Sequence, residues 1–534
     1  MTARLRTNIL LLAGFCGFLF FYGLGQFGLI GADEPRYAQV ARGMLERHDW
    51  VTPTLGGRPW LEKPPLYYWQ AILAYKVFGV TDVAARIPSA LDATLLVIVV
   101  YLFFRKFRRG VEIDAALITA SCAGVIGFAR AASTDMPLAA LFGIGMLAWW
   151  AWRATASKTL IAAFYLCMAL GTLAKGPVAP VLAAIVIIAF AAAVNEWRAI
   201  IRTLWLPGIA LFCVVALPWY TAVQMRNPQF FREFILQHNL ARFSTNLYHH
   251  PEPFWYFVPV IALALLPWTV FIIAALTESI RIFWLEHKSA LDGELQFRIF
   301  ACCWLIVPVI FFSLSRSKLP GYILPAVPAG AVLLADYLLR QLEAELSISK
   351  WMAITHALIA SAPVVPAVLV GYAVTQHRLP FGRPMLFALA LAVILCVAIT
   401  LTLLGRTRWQ MLRFVTLIPV VLAVAAVLKL GTAAIDERLS ARPLAAELAS
   451  IETHSLPLAV CGVSRELEYG LTFYRNQTIA RYESGDVPAG EHLVVAPPTW
   501  KDDIVKYAAG RRVSFLGHYV PQDVDYYWVS AGPK

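Results

Sequence analysis

The chain is written mostly in long apolar runs. A helical span needs about 20 apolar residues to cross about 30 Å of hydrocarbon. Windows of that kind centre near residues 18, 94, 121, 143, 167, 185, 212, 264, 306, 330, 363, 393 and 422. The runs are continuous rather than alternating, which favours helices over strands. About thirteen transmembrane helices are therefore expected, several of them short or nearly fused, as at 159–174. The first run, 8–30, follows Arg4 and Arg6 but is too long for a signal peptide and has no small-residue cleavage site before Asp33. It reads as the first span, with the N-terminus inside.

The polar intervals are patterned too. Over 34–48, Tyr37, Val40, Ala41, Met44 and Leu45 fall on one helical face, opposite Gln39, Arg42, Glu46 and Arg47. Asp33 is placed as N-cap and Pro35 in the first turn, giving a helix that lies in the membrane interface. A second interfacial helix is expected after the double proline, over Leu66–Leu73. From about residue 435 hydropathy drops and short apolar runs alternate with helical patterns. Strands are expected at 458–463, 493–496, 513–516 and 526–529, and helices at 437–451, 466–475 and 502–509. The expected architecture is an all-α polytopic membrane domain over 1–434 and a small α/β domain over 435–534.

Composition agrees. Of 534 residues, 59% are hydrophobic and 15% charged, and the mean hydropathy of +0.65 excludes a soluble globular chain. Lysine and arginine crowd the loops that alternation assigns inside (105–109, 153–158, 198–202, 340–350, 406–413) and thin out in the short outer loops. The C-terminal domain and the motif-bearing loops then fall outside. The net charge of +12 suits anchoring and anionic lipid; no basic patch with interleaved stacking aromatics suggests nucleic acid. Seven of the eight cysteines sit in apolar spans and Cys461 stands alone in the tail, so no disulfide framework is expected.

Chemistry-bearing residues gather in loops on that one face. Asp33 and Glu34 suit a helix start, but also a base, a metal ligand or a partner for an ammonium. Glu62 and Lys63, held extended by two prolines, point to opposite sides; they read as a surface pair, or as a cation ligand and a phosphate contact. Asp135 suits an N-cap before Pro137, at a helix end that also collects anions. Lys175 and Lys318 suit snorkelling or, with Arg316, Ser317 and Tyr322, oxyanion recognition. His238 and Arg242 are four residues apart and share a helical face. No H-x-x-x-H or Cys/His cluster marks a dedicated metal site.

On Asp33-Glu34-Pro35-Arg36-Tyr37-Ala38, Gly57-Arg58-Pro59-Trp60-Leu61-Glu62-Lys63-Pro64-Pro65, Ala84 to Ala90, Thr134-Asp135, Leu173 to Pro177 and Ser317 to Pro325, the chain resembles the GT-C membrane glycosyltransferases that use polyprenyl-phosphate sugars. It looks closest to the lipid A aminoarabinose transferases, relatives of the protein O-mannosyltransferases. The resemblance implies a multi-pass enzyme of the bacterial inner membrane. Such an enzyme moves 4-amino-4-deoxy-L-arabinose from undecaprenyl phosphate to a phosphate of lipid A on the periplasmic face, which confers resistance to polymyxin and other cationic peptides. It implies Asp33 and Asp135 as catalytic carboxylates. Lys63, Arg36, Tyr37, Lys318 and Tyr322 would meet the donor phosphate, and Glu34, Lys175, His238 and Arg242 would line the substrate site. Glu62 would take a divalent metal such as zinc, with no organic cofactor. Partners would be the lipid-linked donor, lipid A or another anionic glycolipid, and membrane lipid, with the protein a monomer. A relative moving a uronic acid or hexose to a glycan or protein is the nearest alternative. A transporter is disfavoured, because its charges would sit near the bilayer midplane.

Overall fold

The computed structural model describes residues 3–241, 252–286, 292–378, 380–405 and 408–533. It has helices at all thirteen expected places. Among the described residues, nine are long and apolar enough to cross a membrane, and up to eleven if two bent pairs each count as one span. The remaining two are Asp135–Thr155 and Val178–Val194. The protein is a multi-pass membrane protein.

The bent pairs were not visible as breaks in hydropathy. Glu112–Ser121 and Ala123–Ala129 meet at 64°, and Phe257–Ala264 and Thr269–Leu285 at 115°. Broken helices expose backbone groups that lipid cannot satisfy. Here each break serves the other: Ala123 N donates to Leu266 O at 2.9 Å, and Trp268 Nε1 to Ser121 Oγ at 2.8 Å.

The first span is shorter than 8–30, running over Arg4–Phe21. Two arginines account for its end. Arg130 donates to Leu19 O (3.0 Å) and Tyr22 O (2.9 Å), taking up carbonyls at the helix terminus. Arg86 donates to Leu24 O, Phe27 O and Gly28 O at 2.7–2.9 Å. The apolar stretch 22–30 thus wraps a buried guanidinium instead of continuing as helix.

The interfacial helices form as the periodicity predicts. Asp33–Glu46 buries Tyr37, Val40, Ala41 and Met44, and Leu66–Phe78 buries Tyr67, Tyr68, Ala71, Ile72 and Tyr75 in the same cluster. Asp33 and Asp135, however, are first helical residues rather than side-chain caps; each carboxylate is drawn to a cation instead. Between the two interfacial helices lies a short hairpin, β1 (Thr54–Leu55) and β2 (Arg58–Pro59). It turns on Gly56 and Gly57, both at positive φ as a two-residue hairpin turn needs. The turn delivers Trp60 and Glu62 to Arg36, and Lys63 to within electrostatic reach of Asp135.

The last helical run ends at Leu439, five residues beyond the expected end of the membrane domain at 434. After Arg442–Ile451, strands β3 (Leu458–Val460), β4 (Ala480–Arg481), β5 (His492–Ala496), β6 (Arg511–Tyr519) and β7 (Val524–Pro533) form one sheet, ordered β4-β3-β5-β7-β6. The first three are mutually parallel; β7 pairs antiparallel with β5 and β6. Two-residue β4 is too short to have shown in the pattern.

This domain is fastened to the membrane portion close to Asp33. Tyr474 OH accepts from Leu29 N at 2.6 Å and donates to Asp82 at 2.7 Å. Gly28 N donates to Asp436 at 2.7 Å, and Arg442 joins Asp436 to Asp82. Ile30 forms an isolated bridge with Ser440.

Candidate functional site

Three separate stretches bring charge together at the start of the first interfacial helix. Arg36, one turn after Asp33, pairs with its carboxylate. The guanidinium also lies 5.2 Å from the Tyr37 ring centroid, 5.1 Å from Trp60 and 5.7 Å from Tyr469, a three-sided aromatic enclosure. Burial works against the Arg36 charge, but Tyr37, Asp33 and Glu62 outweigh it and its pKa is raised.

Tyr37 is the hub. Burial raises its pKa well above the usual phenol value, reinforced by Asp33, and Asp135 also acts on it. The Tyr68 phenol is likewise raised, by burial first, with Glu62 and Asp33 adding to the effect. Both tyrosines therefore stay neutral donors through the physiological range.

On the other side, Asp135 pairs with Lys175, and its second oxygen accepts from Ser133 Oγ at 3.1 Å. Lys63 lies within electrostatic reach of Asp135. The Lys175 ammonium sits over the Tyr322 ring, 4.6 Å from its centroid. Asp33, Arg36, Tyr37, Glu62, Lys63, Asp135, Lys175 and Tyr322, read from five separate segments, thus form one linked constellation. Its inventory is three carboxylates, two of them ion-paired, three cations, one buried phenol and one half-buried phenol. Such a set can hold a phosphate ester against cations while presenting carboxylates to a polar or cationic group.

Gly321 shows how tightly the last segment is fitted. A Cβ there would stand 2.8 Å from Asp135 Cγ and 2.9 Å from Phe128. Gly321→Ala should therefore displace Asp135 and lower turnover about tenfold or more, with the folded fraction retained; initial rates beside thermal unfolding check this.

Two expected site residues belong elsewhere. Glu34 does not join this constellation, although with Arg86 it lines an apolar cavity nearby. Its oxygens accept from Arg86 (2.6 and 3.1 Å), Ala132 N (2.7 Å) and Ile30 N (2.9 Å), so the carboxylate is consumed in holding the fold. Lys318 is buried and donates to Ser315 O at 2.6 Å and Glu252 O at 3.1 Å. It fastens two loops, and phosphate binding is not its visible work. The side chain of His238 and the whole of Arg242 lie outside the described residues.

The structure adds Trp60, Tyr68 and Tyr469. Trp60 was inside a recognised motif, but nothing in its spacing showed that it covers Arg36. Tyr469 belongs to the C-terminal domain, 433 positions along the chain from Arg36, and no sequence signal links them. The Tyr68 hydroxyl is buried with no hydrogen-bond partner among the described residues. An unpaired buried hydroxyl costs about 1–3 kcal/mol. Tyr68→Phe should then leave the thermal midpoint unchanged or raised, while KM for the donor rises if the hydroxyl meets substrate; thermal unfolding and steady-state kinetics together check it.

An apolar cavity of about 650 Å³ lies against the Glu34–Arg86 pair, lined by those two residues and by Phe27, Ile126, Leu266 and Val420 among others, with Arg130 at its wall. It is bounded by the two helix breaks, and irregular backbone at that depth is tolerated where it lines a cavity.

The class of fold is that of GT-C membrane glycosyltransferases. The chain superposes on the crystal structure of ArnT from Cupriavidus metallidurans bound to undecaprenyl phosphate, with a TM-score of 0.77, 22% identity and 98% of this chain covered against 99% of that one. The apo form of the same protein matches with a TM-score of 0.75 and 21% identity, and both chains are covered in full. Residues 8–232 match the family described as dolichyl-phosphate-mannose-protein mannosyltransferase. Among curated relatives, the undecaprenyl phosphate-alpha-4-amino-4-deoxy-L-arabinose arabinosyl transferase of Pseudomonas aeruginosa is 32% identical over 349 residues, 64% of this chain and 61% of its own length. A second transferase of that name, from Proteus mirabilis, is 30% identical over 340 residues, 62% of this chain and 59% of its own. The matched region thus spans about three-fifths of these relatives. The resemblance carried by the motifs is borne out in the fold, which is of the GT-C type, and in sequence similarity to the arabinosyl transferases over about three-fifths of their length.

Proposed function

We propose that this protein is a glycosyltransferase that moves 4-amino-4-deoxy-L-arabinose from undecaprenyl phosphate to a phosphate of lipid A, at the periplasmic face of the bacterial inner membrane. The observation that carries this reading is the convergence of Lys63, Arg36 and Lys175 with Asp33 and Asp135 on one constellation at the end of the spans.

The bond broken joins sugar C1 to a phosphate oxygen, and the bond formed joins C1 to an oxygen of the acceptor phosphate. Negative charge grows on the departing undecaprenyl phosphate. Lys63 and Arg36 are placed to take it. An acceptor phosphate is already ionised near neutral pH, so no strong base is required. Asp33 and Asp135 orient the sugar and offer carboxylates to its amine, their pairs with Arg36 and Lys175 loosening as substrate charge arrives. Direct displacement inverts the anomeric carbon. The apolar cavity against Glu34 and Arg86 suits a lipid chain of one of the two substrates.

Glu62 is the residue that would hold a divalent ion. Among the described residues no group of three His, Cys, Asp or Glu side chains could hold one. Glu62 instead acts on Arg36 and Tyr68, and no step here passes through a metal.

The test is the mass of lipid A from a host that lacks aminoarabinose modification, with and without this protein. Lipid A should gain one aminopentose, and the gain should vanish with Asp33→Ala and Lys63→Ala at equal protein level. A gain of a different sugar would redirect the substrate assignment; full modification by both variants would remove the site.

A further inference from the structure

The C-terminal domain holds a cavity of about 410 Å³ that the transfer chemistry leaves unused. Its position follows from the sheet. Strands β3 and β5 are adjacent and parallel. From β3 the chain enters helix Arg465–Arg475, whose Leu467 and Leu471 pack with Leu458 and Val460 on one face of the sheet. From β5 it enters helix Lys501–Tyr507, whose Ile504 packs with Ala459 and Val494 on the opposite face. Loops after neighbouring strands therefore part to opposite sides, opening a crevice at their carboxyl ends. In open α/β sheets that is the place where ligands bind. Gly462, at φ +67°, turns the chain out of β3 at this crevice, and Pro497 follows β5 on its far wall.

The lining decides the ligand class. Arg438 and His377 bring positive or ionisable groups, and Glu466 and Asp523 bring carboxylates. Neither the Arg438 nor the Glu466 side chain makes a hydrogen bond or ion pair with another described residue. A phosphate would meet two carboxylates, and a hydrocarbon would strand charges without partners. A sugar satisfies both sides, because its hydroxyls donate to carboxylates and accept from a guanidinium. Its C–H face can rest on Val463, Leu467 and Val524, which also line the cavity.

The crevice is also connected to the membrane portion. His377 comes from the chain between two spans, and Arg438, Leu439 and Ala441 line the crevice while Ser440 between them bridges Ile30, three residues before Asp33. We propose that this crevice binds a saccharide unit, making the C-terminal domain a glycan-recognition module seated beside the transfer site. The crevice is separate from the Asp33 cluster, so the proposal does not depend on which sugar is transferred.

The test uses the full chain in an amphipol free of sugar detergents, with a neutral β-1,6-linked N-acetylglucosamine disaccharide as probe and saturation-transfer difference NMR as readout. Saturation should pass from protein methyl groups to the sugar ring protons. Glu466→Ala and Arg438→Ala should each weaken binding about tenfold, the loss of one or two hydrogen bonds to a charged group, while Asp33→Asn should bind as the wild type does. The proposal is overturned if no transfer is seen at millimolar disaccharide, if both crevice variants bind normally, or if Asp33→Asn alone abolishes binding. It is equally overturned if inorganic phosphate, followed by its own ³¹P signal, binds in an Arg438-dependent way and the disaccharide does not.

Discussion

Lys63→Ala should lower the rate of sugar transfer about 100- to 1,000-fold, with KM for the donor changing far less. Removing one preorganised donor from a developing oxyanion costs roughly 3–4 kcal/mol of transition-state stabilisation in a site of this kind. In the proposed mechanism the ground-state phosphate keeps Arg36 and the tyrosines, so binding should survive better than turnover. Lys318→Ala makes the contrast. Its ammonium serves Ser315 O and Glu252 O, so its loss should lower stability while the turnover of the folded fraction stays near that of the wild type. Steady-state kinetics on purified protein, with the folded fraction measured in parallel, separates the two lysines. Equal kinetic losses in both would mean that the motif-based reading of Lys318 was right after all.

Arg86→Ala should be among the most destabilising single changes in the chain, by about 3–5 kcal/mol. Arg86 and Glu34 are buried, and five hydrogen bonds at 2.6–3.1 Å run from the guanidinium to Glu34 and to the carbonyls of Leu24, Phe27 and Gly28. Truncation would strand the Glu34 carboxylate and release the loop that turns the chain into Asp33. Arg86→Lys should fail to restore it, since one ammonium with three donors cannot reproduce a planar fork reaching two carboxylate oxygens and three carbonyls. The measurement is monodisperse yield after extraction, followed by thermal unfolding. Wild-type stability in Arg86→Ala would show that the loop is held by packing alone.

The sequence announced the membrane domain because length and hydropathy depend on local composition, and each of the thirteen expected places carries a helix. The amphipathic helix over Asp33–Glu46 was equally legible, since burial of Tyr37, Val40 and Met44 follows directly from their spacing. Most of the charged constellation could be assembled from sidedness and motif. What could not be read was partnership. Asp33 and Asp135 looked like helix caps because position alone suggests capping, whereas their ion pairs with Arg36 and Lys175 decide their geometry. Glu34 differs from Asp33 only by a helical turn of about 100°, enough to send it into the Arg86 network instead of the site. Tyr469 reaches Arg36 from a domain folded separately along the chain, a contact that no local pattern can encode.

The most direct measurement is cleavage of the donor itself. Purified protein is mixed with undecaprenyl phosphate-linked aminoarabinose, with and without lipid A, and free undecaprenyl phosphate is counted against aminopentose gained by the acceptor. Transfer by the Asp33–Lys63–Asp135 constellation requires one-to-one release that depends on the acceptor and is lost in both Asp33→Asn and Lys63→Ala. Release at the wild-type rate in those two variants would contradict it.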